Sequence, residues 1–426
     1  MYKQYIKQAI HLLRENKLLS IISVIGTALA ISIIMVIIIL LRAKTADYVP
    51  EVNRSRTLYV KWGSAVKKDD EGHRNYNRLS YYDIREAFYP LTTPEVVSGV
   101  CPYGSMLLSV PGSEDETNSE LMYTDAAFWK VYEFAFLAGR PYDQASFEAG
   151  MKQAVVCEST ARKLYGGASE AVGKYVDVNF VEYTIVGVVK DVSKFAEMSY
   201  AEIWVPYTAN AGLIHVNTSG WGNGHGGGFI CFILARSTDD FDKIREELNV
   251  SIAKMNDSSP EFYLDIMEQP TDFFHQMLSK FANGGTPAKE QVIRYMIVIF
   301  LILLIPSVNL SGLTQSRMRK RLSEIGLRKA FGANRQELMA QLLWENFLLT
   351  LIGGIIGLAF SYFSLGVLSN WLLASNLGGV AVMNTSMISP WIFLIALAFC
   401  ILLNLLSVGI PAWRAARTTI VNALNG

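Results

Sequence analysis

Four cysteines in 426 residues are too few to staple a domain of any size. Cys101, Cys157 and Cys231 fall in one long polar stretch, and Cys400 in an apolar run. Spacings of 56 and 74 residues fit no zinc pattern, and an odd number allows one internal bridge at most, so three buried free thiols are expected. A G-x-x-x-x-G-K-[ST] phosphate loop is also missing, so this sequence does not hold ATP in that way. The run Trp221-Gly222-Asn223-Gly224-His225-Gly226-Gly227-Gly228 lacks the Lys-Ser/Thr ending and reads as a flexible loop. His215 and His225, ten residues apart without a third ligand, make a poor metal pair. The sequence thus offers no catalytic or metal-binding residues, and the chain is not expected to be an enzyme itself.

Charge is absent where it would be most costly. Residues 18–41 contain no Asp, Glu, Lys, Arg or His, and three further apolar runs follow at 295–313, 347–368 and 388–410. About 20 apolar residues in a helix cross a bilayer core, so each run is a transmembrane candidate. Ionisable groups inside spans cost roughly 2.5–3.5 kcal/mol and persist mainly where they work. Their absence argues against an ion-coupled carrier or a membrane protease. The first run is too long for a signal peptide, and Leu41-Arg42-Ala43-Lys44 is a poor cleavage site, so it reads as a retained anchor.

What is present sorts by sign. Residues 43–295 hold 24 Lys+Arg against 34 Asp+Glu, a net −10; the rest holds 14 against 4, a net +10. Basic residues near span ends favour the cytoplasmic side. They cluster at Lys3, Lys7, Arg14 and Lys17, between Arg317 and Arg335, and at Arg414 and Arg417. Four spans with the acidic region outside bring all three clusters to the cytoplasm. The third and fourth spans are split at 369–387, because 346–413 carries no charge. The organisation expected is a cytoplasmic amphipathic helix at 1–17, an extracytoplasmic domain at 43–290, a cytoplasmic coupling segment at 314–346 and a cytoplasmic tail at 411–426. The short N-terminal helix suits the inner lipid leaflet.

The large domain reads as α+β. A strand at 57–60 running on towards Trp62, a helix at 81–88 capped by Ser80 and a strand at 96–100 form one β-α-β unit. A strand at 229–234, a helix from Thr238 to about Met255 and a strand at 262–267 form a second. Between them an insert at about 103–210 is strand-rich, with period-two alternation at Val176 and Val178 and again from Tyr183 to Val189.

The most specific local signal lies between spans two and three. Glu324-Ile325-Gly326-Leu327-Arg328-Lys329-Ala330-Phe331-Gly332-Ala333-Asn334-Arg335 reads as a basic helix ending at Gly332, with Glu324 and Arg328 spaced for an i, i+4 pair. On its residues alone it suits either contact with anionic lipid or the grip of another protein. In the third span, Gly353 and Gly357 form a small-x-x-x-small pair suited to close helix packing, within one subunit or between two.

The segment 324–335 resembles the signature of the FtsX-like permease domain of MacB-type ABC transporters. The similarity continues through Gln341, Leu342, Glu345 and Gly353-Gly354-Ile355-Ile356-Gly357, and resumes at Pro411-Ala412-Trp413-Arg414-Ala415-Ala416-Arg417. In the large domain, Ala138-Gly139-Arg140-Pro141, Ala161-Arg162-Lys163-Leu164-Tyr165-Gly166 and Thr184-Ile185-Val186-Gly187-Val188-Val189-Lys190-Asp191-Val192 resemble that family's periplasmic core domain. The resemblance implies a bacterial inner-membrane permease subunit with both termini cytoplasmic, working as a homodimer or in a paired heterodimer. It implies mechanotransmission: a separate ABC ATPase subunit, which would hold the ATP and Mg, pushes Glu324, Ile325, Gly326, Arg328, Lys329, Phe331, Gly332 and Arg335. Export of a peptide, antibiotic, lipoprotein or other periplasmic cargo is the leading expectation, with a periplasmic adaptor and an outer-membrane channel open as partners and no nucleic acid. The alternative is transmembrane signalling or control of a cell-wall hydrolase without transport.

Overall fold

The computed structural model describes residues 47–278 almost continuously, apart from 114, 195 and 217–221, together with individual residues within 17–36, 290–301, 327–331, 340–364 and 391–402. They fall into two compact units. The large one comprises 44–292 and 373–382, the second 1–43, 293–372 and 383–426.

Twelve strands build the large unit: β1 (Thr57–Val60), β2 (Gly63–Lys67), β3 (Asp70–Asn77), β4 (Val96–Ser109), β5 (Glu116–Thr124), β6 (Phe136–Gly139), β7 (Gln153–Cys157), β8 (Tyr175–Val178), β9 (Val181–Val189), β10 (Ile203–Pro206), β11 (Ile230–Leu234) and β12 (Phe262–Asp265). The helices are α1 (Tyr81–Asp83, continued by a π-helical turn Ile84–Phe88), α2 (Phe128–Val131), α3 (Gln144–Glu148), α4 (Glu158–Tyr165), α5 (Ala168–Ala171), α6 (Ala211–Ile214), α7 (Phe241–Ser258) and α8 (Phe273–Leu278).

Nine strands share one sheet in the order β1-β11-β4-β5-β10-β7-β9-β6, and β8 pairs with both β4 and β9. The path β4-β5-β10-β7-β9-β8 therefore returns to β4 and closes a ring of six strands, which leaves those strands no free edges. This corrects the expected inserted lobe. The strands of the insert continue the sheet of β4 rather than forming a layer of their own. The expected β-α-β units change as well. β11 lies between β1 and β4, and β12, which follows α7, joins β2 and β3 in a separate three-stranded sheet. The β2–β3 hairpin was not expected. Asp70–Asn77 has no apolar alternation, and its pairing with β2 rests on β12 on the far side.

Both faces of the central strands are buried, which explains their unbroken apolar runs. In β11, Cys231 and Ile233 enter one core cluster while Ile230, Phe232 and Leu234 enter the other. In β10, Ile203 and Val205 face the first cluster and the fully buried Trp204 the second. The second cluster is aromatic: Trp204 meets Trp129 and Phe134 edge-on at 6.1 and 5.1 Å. α7 buries Ile244, Leu248, Ile252 and Met255, one helical stripe, and its Ser251 hydroxyl donates to the Ala87 carbonyl at 2.8 Å.

The four expected spans lie largely outside the described residues, and among the described residues no helix is long and apolar enough to cross a membrane. Residues 350–361 are helical.

Candidate functional site

Of the predicted coupling residues, Glu324, Ile325, Gly326, Arg328, Lys329, Gly332 and Arg335 lie outside the described residues. Phe331 is described. Its N–H donates to the Leu327 carbonyl at 3.1 Å, one helical turn back, and its side chain is 83% exposed. Gly353 and Gly357 are buried. A Cβ on Gly357 would lie 2.6 Å from the Ala28 carbonyl oxygen and 3.1 Å from the Ile31 Cβ. A Cβ on Gly354 would lie 2.6 Å from the Leu397 Cδ1. Gly357 thus approaches the Ala28 backbone and Gly354 the Leu397 side chain, both contacts within one chain.

The large unit contains three buried polar centres that pattern reading did not find. Around Asp125, the Ser98 hydroxyl, the Gly99 N–H, the Tyr89 hydroxyl and the Phe128 N–H all donate to the carboxylate, at 2.7–2.9 Å. Burial still pushes this carboxyl up to about 6. Asp83, at the N3 position of α1, completes a capping box with Ser80 and lies 2.6 Å from Nδ1 of the buried His225. His225 Nε2 has no partner among the described residues. The glycine-rich run that supplies His225 is a set of specific turns, since Gly222, Asn223, Gly224 and Gly226 all take positive φ. A Cβ on Gly227 would lie 2.8 Å from the Leu79 carbonyl oxygen. Where a flexible loop was expected, the chain is packed tightly enough to demand glycine. The third centre joins Glu51 to Arg54 at 2.5 Å with both side chains fully buried. Asp125 with Ser98, Asp83 with His225, and Glu51 with Ser199 are each brought together from distant parts of the sequence, so spacing gave no signal for these contacts.

The expected thiols are free and buried at Cys101, Cys157 and Cys231. Burial pushes Cys101 and Cys157 up to about 11 and Cys231 well above its ordinary value, so all three stay as neutral thiols. His215 and His225 are not brought into a metal-ligand group: among the described residues no cluster of three or more His, Cys, Asp or Glu is placed to hold an ion.

Two of the family-like pieces of the large unit meet in space. Gly139 on β6 pairs with Gly187 on β9. Gly139 has φ +66° and a Cβ there would run into the Val186 carbonyl oxygen, while one on Gly187 would lie 2.7 Å from the Arg140 carbonyl oxygen. The third piece is α4, which ends in Gly166 at φ +83°, with its N–H on the Arg162 carbonyl. All three carry backbone requirements of the fold.

In the sequence, the α+β unit at 44–292 is flanked by apolar runs. Residues 20–250 match the MacB-like periplasmic core domain, and 296–420 match the FtsX-like permease C-terminal region. The chain belongs to the MacB-like family of FtsX-type permeases. It is 23% identical over 333 residues to the macrolide export ATP-binding/permease protein MacB of Chromobacterium violaceum, covering 77% of this chain and 46% of the relative. It is 24% identical over 321 residues to the uncharacterized ABC transporter permease YknZ of Bacillus subtilis, covering 73% and 71%. The chain spans from 35% to 60% of the length of the MacB relatives it matches. The periplasmic region of MacB from Actinobacillus actinomycetemcomitans is a structural neighbour at a TM-score of 0.36 and 15% identity, covering 54% of this chain and 94% of that one.

Proposed function

We propose that this chain is the permease subunit of an ABC transporter, in which a separate ATPase subunit drives the large unit from across the membrane and a periplasmic cargo is exported. The observation that carries this reading is the unbroken FtsX-like match over 296–420, which includes the basic segment Glu324 to Arg335. This reading assigns the nucleotide and its Mg to the ATPase partner, in keeping with the lack of a phosphate loop in these 426 residues. MacB-like permeases are membrane proteins with a periplasmic domain, and the charge asymmetry of this chain supports the same placement, with the large unit outside and both termini in the cytoplasm. Two copies, or two related permeases, would pair across two ATPases. Transmission needs stiff contacts, and the Gly354 and Gly357 packing supplies one.

The test is a coupling assay on the full chain with the ATPase that purifies with it. Reversing charge at Arg328 and Lys329, or introducing Gly332→Pro, should leave membrane insertion intact, keep ATP hydrolysis running and abolish ATP-dependent output. Unchanged output in both variants, or the absence of any associating ATPase, defeats the reading. ATP-dependent cargo release supports export; an outer protein partner with no cargo would replace export by signalling.

A further inference from the structure

A buried ion pair lies near the start of the described part of the large unit, which runs from 47 to 278. Arg54 Nε donates to Glu51 Oε2 at 2.5 Å, with neither side chain exposed. The guanidinium lies over the Tyr48 ring at 4.1 Å and over the Phe273 ring at 4.8 Å, and its Nη2 donates to the Tyr48 hydroxyl at 2.9 Å. Phe273 opens α8. The other carboxylate oxygen of Glu51 accepts from the Met198 N–H (3.1 Å), the Ser199 N–H (2.9 Å) and the Ser199 hydroxyl (2.8 Å). The Ser199 carbonyl in turn accepts from the Trp204 indole at 3.2 Å, inside β10. Backbone bonds between Tyr59 and Thr271, at 2.8 and 3.1 Å, run beside this knot.

Burying two charges is expensive, and well-packed apolar residues often stabilise a core as well or better. The gain here is geometric. Glu51 and Arg54 belong to one segment and each reaches a different neighbour: the carboxylate accepts three bonds from 198–199 and the guanidinium lies over the Phe273 ring, so displacing either neighbour disturbs the pair. We propose that the Glu51–Arg54 pair, held between Tyr48 and Phe273, is a positioning joint that makes the incoming segment 47–56, the outgoing α8 and the turn at 198–199 move as one body. The proposal rests on the coupling function proposed above, because a body formed by these three segments would pass a movement on to β10. Glu51 and Arg54 are positioning residues.

Hydrogen exchange on the full chain in lipid nanodiscs, with its co-purifying ATPase, tests this. The variant carries Glu51→Gln with Arg54→Met, which removes both charges, keeps the volume and retains an acceptor for Ser199. In the wild type, amides of 47–56, 198–200 and 273–278 should change exchange rate in concert on ATP addition. In the double variant, exchange at 198–200 and 273–278 should speed at least tenfold while β4, β5, β7 and β9 keep their protection, and the concerted response should vanish. Unchanged exchange at 273–278, or a concerted response that survives, overturns the joint. Should the double variant fail to fold, Phe273→Leu removes only the ring over Arg54. Faster exchange at 47–56 then supports the joint and an unchanged rate overturns it. A wild type silent to ATP, with the three segments still released in the variant, sinks the coupling function and leaves the joint standing.

Discussion

Acidification should stabilise the large unit between about pH 4 and pH 6 through Asp125, the reverse of the usual effect of a hydrogen-bonded carboxylate. Burial raises this group from 3.8 to about 6 even though four donors point at it. Because its folded value lies above its unfolded one, the folded chain keeps a proton that the unfolded chain releases. The stability contributed by that proton is fully present below about 3.8, falls as pH rises, and is gone above about 6. A shift of about two units at 1.36 kcal/mol each makes the change roughly 3 kcal/mol. Urea unfolding of the full chain in detergent, read by tryptophan fluorescence, measures it, since Trp129 and Trp204 sit in the aromatic cluster beside α2. Wild type and Asp125→Asn should be compared at each pH, so that all other titrating groups cancel. The advantage of the wild type should shrink by roughly 3 kcal/mol between pH 4 and pH 7. An advantage that stays constant, or that grows towards neutrality, would show that the four donors outweigh burial and that Asp125 folds as an anion.

Three substitutions probe the backbone. Gly139→Ala places a methyl group against the Val186 carbonyl at a positive φ, where no flexible side chain can give way, and should cost at least about 2 kcal/mol in the urea midpoint; a near-neutral result would mean that β6 and β9 can separate freely. Phe180 closes the β8–β9 hairpin at φ +66° with its ring 82% exposed, after Asn179 at φ +47°. Asn-Gly is the favoured pair for such a turn, so Phe180→Gly should stabilise the unit by about 1 kcal/mol, and a lower unfolding midpoint would contradict this. Gly357→Leu must push the Ala28 backbone away and should cost roughly 1–3 kcal/mol, seen as a lower thermal midpoint of the purified full chain; an unchanged midpoint would show that this contact is dispensable.

Which parts of the large unit could be read from its sequence follows from the range of the forces involved. β1, β11 and the β8–β9 hairpin were legible because burial on one or two faces writes a period into the chain, and α1 because Ser80 caps it locally. β3 was not, since its residues are polar and its pairing is imposed by β2. The polar centres were hidden for a related reason. Asp83 and His225 are 142 residues apart and Glu51 and Ser199 148 apart, so each reads alone as an ordinary surface group. Glu51 and Arg54, three residues apart, read as a solvated charge pair; only the fold places Phe273 and Ser199 over them. The coupling segment shows the opposite balance: its sequence is specific, and the one predicted contact residue that is described, Phe331, is exposed.

The family-like pieces of the large unit also limit what the resemblance can transfer. Gly139 and Gly187 face each other where two strands come too close for a side chain, and Gly166 ends α4 in a conformation that other residues resist. Residues kept for such reasons specify how the chain turns and packs, and they carry no chemistry that a cargo could recognise. A relative sharing these pieces therefore shares the scaffold, whatever it exports.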